Sequence, residues 1–100
     1  MNSNLEFLQD WYSSNCDGDW EHSFGIKIET LDNPGWTITV DLENTEWEDL
    51  QFSESEELSE DDWFNIGAKE KKLIAYGDSK KLVYLLDRIK NILSPVSLGF

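Results

Sequence analysis

Residues 36–43 read Trp36-Thr37-Ile38-Thr39-Val40-Asp41-Leu42-Glu43. Apolar side chains take every second position and threonine or carboxylate the positions between, the period-two pattern of a strand with one face in a core and one in water. A shorter version precedes it, with Ile26 and Ile28 alternating against Lys27 and Glu29. Between the two runs lies Asp32-Asn33-Pro34-Gly35. Proline presets φ and glycine serves where a positive φ is required, so the pair reads as a β-hairpin. One wet face and one apolar face imply an antiparallel sheet covered on a single side.

Working outward, Ser3 followed by Glu6 forms a capping-box pattern. Leu5, Leu8, Trp11 and Tyr12 then recur at helical spacing, which predicts a helix over residues 4–14. Residues 15–23 fit neither period and contain Asp17-Gly18-Asp19, which predicts an ordered loop. Downstream of the hairpin, Leu50 and Phe52 suggest a third strand, and the acidic run after it reads as a solvated connection. Phe64, Ile66 and Ala68 suggest a fourth strand and residues 73–76 a fifth, joined across Lys69-Glu70-Lys71-Lys72. Gly77-Asp78-Ser79 offers a helix cap, after which Leu82, Leu85, Leu86, Ile89, Ile92 and Leu93 trace an amphipathic helix that Pro95 stops. The expected fold is α+β, an antiparallel sheet of four to five strands with an N-terminal and a C-terminal helix packed on one face.

At 100 residues the chain has the size of one domain, residues 1–100, and its 39% apolar and 13% aromatic residues, five of them tryptophan, exclude wholesale disorder. Its formal charge of −13 would repel nucleic acid and anionic lipid, which leaves a basic protein surface as the better partner. The charge is unevenly placed. Up to Ala68 there are 18 acids and one base, Lys27, and from Lys69 onward seven bases and three acids. The single cysteine, Cys16, precludes an intrachain disulfide, the N-terminus lacks a basic region followed by an apolar stretch, and the longest apolar run, residues 82–86, is too short to span a bilayer. These features predict a cytoplasmic protein.

The stretch Cys16-Asp17-Gly18-Asp19-Trp20-Glu21-His22 gathers a thiol, three carboxylates and the only imidazole. As a metal site it has ligand types but neither the order of a calcium loop nor a paired Cys-x-x-Cys, so no metal or other cofactor is expected. As a small hydrolase or metal-dependent enzyme it would use Cys16 as nucleophile or His22 with Glu21 as acid and base, yet no oxyanion site or phosphate loop accompanies them, and no catalytic residue is assigned. The alternative is structural: Trp20 plugs the edge of the core while Asp17, Asp19, Glu21 and His22 satisfy loop amides. A rigid loop of this kind also builds a binding surface. Among the other tryptophans, Trp11 and Trp36 read as core, while Trp47 and Trp63 flank the acidic run and either anchor a partner's Lys or Arg or shield the sheet's ends.

The string Trp11-Tyr12-Ser13-Ser14-Asn15-Cys16-Asp17-Gly18-Asp19-Trp20-Glu21-His22, continued by Gly25-Ile26-Lys27-Ile28-Glu29-Thr30-Leu31-Asp32-Asn33-Pro34-Gly35-Trp36, resembles the immunity protein 53 family of bacterial polymorphic toxin systems. The likeness extends through Asp41-Leu42, Asp61-Asp62-Trp63 and Gly77-Asp78 to the last helix. It implies a small cytoplasmic protein that binds a cognate toxin and blocks it without catalysis. The very acidic middle and the tail Val96-Ser97-Leu98-Gly99-Phe100 depart from the family pattern. If the toxin is a nuclease its substrate groove is basic, and an acidic plug with a few aromatic anchors would occlude it. The expected contacts are Asp17, Asp19, Trp20, Glu21 and His22, then Trp47, Glu54, Glu56, Glu57 and Asp62. A third role, as a subunit of a larger complex, would dock the apolar tail.

Overall fold

The computed structural model describes residues 3–94. Helix α1 spans Ser3–Asn15, a four-residue helix α2 Trp20–Ser23, and helix α3 Leu82–Leu93. Strands β1 (Ile26–Leu31), β2 (Gly35–Asp41), β3 (Phe52–Ser59), β4 (Asp62–Lys69) and β5 (Lys72–Gly77) form one sheet in the order β1-β2-β5-β4-β3, every neighbouring pair antiparallel. This is the α+β architecture expected from the sequence.

Register explains how the sheet is sided. Ile28↔Ile38↔Ala75↔Ile66 form one row across β1, β2, β5 and β4, and Val40↔Leu73↔Ala68 the next. Cross-strand partners share a face, so these side chains make one apolar layer. Leu85, Leu86, Ile89 and Leu93 of α3, with Leu8 and Trp11 of α1, close over it, and Ile38, Val40, Leu42, Ile66, Leu73, Leu85 and Ile89 are wholly buried. The alternate row, Thr37, Thr39, Ile74, Tyr76, Asn65 and Gly67, lies on the face that carries no helix.

Four local expectations are corrected. Residues 20–23 of the expected loop form helix α2, because Asp17 and Glu21 close the preceding turn on its backbone amides. The acidic run is not a connection: Glu54, Glu56 and Glu57 lie inside β3. That strand is at the sheet edge, where a charge reaches water from either face and discourages pairing with another copy. The 77–79 stretch is not the cap of α3, whose N-cap residue is Lys81, made without a side-chain cap hydrogen bond. Asp78 instead accepts bonds from its neighbours, as described below.

Gly35 does not adopt positive φ. A Cβ there would stand 2.5 Å from the Gly77 carbonyl oxygen, so close approach of β2 to β5 is what requires glycine. Positive φ falls instead on Glu70 (53°) and Lys71 (67°), the two central residues of the β4–β5 turn, and on Asn44 and Gly18. A two-residue hairpin with both centres left-handed matches the twist of its strands even when neither residue is glycine. Helix α3 ends at Leu93 with Ser94 extended, the conformation favoured before proline. Pro95 and the 96–100 tail lie outside the described residues.

Candidate functional site

The 16–22 loop is built by its own carboxylates. Asp17 Oδ1 accepts the N–H groups of Asp19 and Trp20, each at 2.9 Å. Glu21 accepts those of Asp17 at 3.0 Å and Gly18 at 2.9 Å. The Trp20 and Asp19 amides hold the Asp17 carboxyl below its usual range, and Glu21 is lowered by its own N–H and then those of Asp17 and Gly18. Trp20 is buried, its Nε1–H donating to the Glu43 carbonyl at 2.8 Å and its ring about 6 Å from those of Trp11, Tyr12 and Phe24. Asp19 and His22 project into solvent, and the half-buried Cys16 thiol donates to the Tyr12 carbonyl. Glu21, occupied by two amides, is poorly placed to act as a base for His22. Among the described residues no group of three His, Cys, Asp or Glu is arranged to hold a metal ion.

The acids of the second half fall into two kinds. Glu54 forms a fork with the Arg88 guanidinium, which lies 6.0 Å from the ring centroids of Phe64 and Tyr84. This pairing lowers the Glu54 carboxyl. Asp62 and the buried Asp78 share the Lys81 ammonium at 2.6 and 2.8 Å. Asp78 also accepts the Trp63 N–H and the Lys80 N–H, each at 2.9 Å. Burial pushes the Asp78 carboxyl up, but Lys81 and these two amides outweigh it and leave it lowered, while Asp62 and then Asp78 raise Lys81. Glu56, Glu57, Glu60 and Asp61, by contrast, are exposed and have no base within ion-pair distance among the described residues.

The ten expected contact residues do not form one patch. The 16–22 loop sits where β1 begins, beside Gly25 and Glu43. Trp47 is half-buried against the core and lines a groove of about 490 Å³ with Phe7, Trp11 and Leu93. Glu56, Glu57 and Asp62 lie on the opposite edge and near the opposite end of the sheet, where Glu56↔Phe64↔Gly77↔Trp36 form a row.

A second groove, about 730 Å³, opens on the helix-free face. Trp63, Asn65 and Tyr76 line it, Pro34 contributes from the β1–β2 turn, and Glu57, Glu60 and Asp61 from the β3–β4 hairpin. Tyr76, Asn65 and Glu60 were missed as site residues, although Trp63, Asn65 and Gly67 alternate with Phe64, Ile66 and Ala68 and so had to face away from the core.

The family model described as immunity protein 53 matches residues 5–94. The chain belongs to the immunity protein 53 family. No curated protein and no solved structure matches it. Membership makes this an immunity protein, and an immunity protein implies a toxin as partner. In this immunity protein, no helix among the described residues is long and apolar enough to cross a membrane.

Proposed function

We propose that this immunity protein neutralises a cognate polymorphic toxin in the cytoplasm by binding and occluding a basic surface, as a nuclease's substrate groove would be, and that it makes or breaks no covalent bond. The observation that carries this reading is the unneutralised acid. Only Asp41, Glu54, Asp62 and Asp78 pair with bases among the described residues, so most of the chain's 21 acids make no ion pair there, four of them on the β3–β4 hairpin. Free carboxylates of one sign speed encounter with a cationic protein and compete for the Lys and Arg that grip phosphate.

In this reading Glu56 and Glu57 make first contact, with Asp19, His22 and Trp47 as a second contact region. Asp17, Trp20 and Glu21 support the latter by holding the loop's shape, and Glu54 and Asp62 act through their ion pairs with Arg88 and Lys81. Co-expression with the product of the adjacent gene tests the reading. Rescue of growth together with co-purification of the two chains is expected. Continued toxicity, or rescue without any captured complex, contradicts it.

A further inference from the structure

We infer that the toxin is seated on the helix-free face of the sheet, through a basic segment whose Lys or Arg side chains lie over Trp63 and Tyr76 with their charged ends among Glu57, Glu60 and Asp61. This rests on the proposed function and adds the surface and the chemistry of its occupant. The three helices among the described residues are accounted for elsewhere: α1 and α3 cover the opposite face, and α2 closes the 16–22 loop. Among the described residues, the central strands β5 and β4 therefore present Ile74, Tyr76, Trp63 and Asn65 with no helix over them, and Tyr76 is 40% exposed at the middle of that face.

Electrostatics select the occupant. Glu56, Glu57, Glu60 and Asp61 line the groove and no Lys, Arg or His does. A carboxylate wall beside two aromatic faces is the arrangement that holds a guanidinium or ammonium by charge and by cation–π contact at once. Asn65 and Tyr76 also border a further groove of about 360 Å³, whose lining includes Lys69 and Lys72 in place of carboxylates. A second copy of this chain is a poor occupant, because it would bring its own acidic hairpin to the same wall. The Asp78 carboxylate, which bonds the Trp63 N–H, anchors the floor to the start of α3.

The test has two arms. Titration of the full chain with a hexa-arginine peptide, followed by ¹⁵N-resolved NMR, is expected to shift the amides of Glu57, Glu60 and Asp61 and the Trp63 indole N–H saturably, with hexa-glutamate inert. Shifts centred on the 16–22 loop, or spread without saturation over every acidic surface, overturn the inference. In the second arm, E57K/D61K is expected to weaken binding of the adjacent gene's toxin domain by about tenfold or more, and Y76A by roughly threefold to tenfold, with E6K/D87K as a control of equal charge change within about twofold of the parent. Circular dichroism confirms that each variant is folded. Undiminished binding by E57K/D61K overturns the inference and leaves the proposed function standing. Failure of the parent chain to bind the toxin sinks the proposed function, and the peptide arm then still decides the groove. Self-association that E57K/D61K enhances would assign the face to a second copy instead.

Discussion

Replacing Asp78 with alanine should be among the most damaging single changes on the polar side of this molecule. The side chain is 5% exposed and receives three hydrogen bonds, from the Trp63 amide, the Lys80 amide and the Lys81 ammonium. Alanine leaves the two amides without their acceptor, while Lys81 keeps Asp62. Breaking a buried pair costs ~3–5 kcal/mol, and with Lys81 still partly solvated and still paired the lower end applies, about 3 kcal/mol. For a domain of this size that is a fall in Tm of roughly 12–24 °C. The D78N variant keeps an acceptor oxygen on its side-chain amide and should cost about half as much.

The pH dependence separates charge from shape. The folded-state pKa of Asp78 is lowered, so its contribution is fully present above the unfolded value of about 3.9 and is lost as pH falls through the lower folded value. The gap in stability between the parent and D78N should therefore narrow below about pH 4. Thermal melts by circular dichroism at pH 7 and at steps down to about pH 3 measure both quantities. A D78A Tm within about 3 °C of the parent, or a parent–D78N gap unchanged across that range, would refute the reasoning.

Further variants probe other elements. G35A should destabilise by about 2 kcal/mol or more in urea unfolding, because the added Cβ meets the Gly77 carbonyl of the neighbouring strand rather than a movable side chain. K71G should do the opposite, raising stability by ~0.5–1 kcal/mol by relieving the left-handed conformation at φ 67°, provided the β4–β5 register is kept. W20A should cost ~3–5 kcal/mol, since it empties the centre of the Trp11–Tyr12–Phe24 cluster, while exposed Asp19→Ala leaves the melt unchanged. Arg88→Ala should cost about 1 kcal/mol, chiefly through loss of packing on Phe64 and Tyr84.

The fold was legible wherever burial imposed a period. Trp36, Ile38, Val40 and Leu42 alternate because a helix layer covers one face of β2, and Leu82, Leu85, Leu86, Ile89 and Leu93 repeat at helical spacing because α3 provides that layer. β3 was not legible beyond Phe52, since an edge strand needs no apolar face and its serines and glutamates look like a linker. Gly35 drew attention as a turn residue, but its reason is a carbonyl contributed more than forty positions later, which no local pattern reveals. The same holds for Asp78, whose partners include Trp63 and, through Lys81, Asp62. Of the candidate contacts, the acidic density around residues 54–62 was plain in the sequence. Its meeting with Trp63 and Tyr76 depended on β5 pairing with β4 at the centre of the sheet.

The strand order also explains why the charge gradient along the chain does not cancel in space. β3 lies at the far edge, beyond β5 and β4, and among the described residues its only ion pair reaching α3 is Glu54–Arg88. Three further bases, Lys69, Lys71 and Lys72, cluster at the β4–β5 turn, near where β3 begins rather than where it ends, and Lys81 at the other end is taken up by Asp62 and Asp78. The acidic tip of the hairpin therefore stays unneutralised.

The most direct measurement is the stopped-flow association rate of this immunity protein with its cognate toxin as a function of salt. If negative side chains steer the encounter, the association rate should fall by about tenfold or more between roughly 50 mM and 500 mM salt while the dissociation rate changes by less than about threefold. An association rate indifferent to salt would contradict the account.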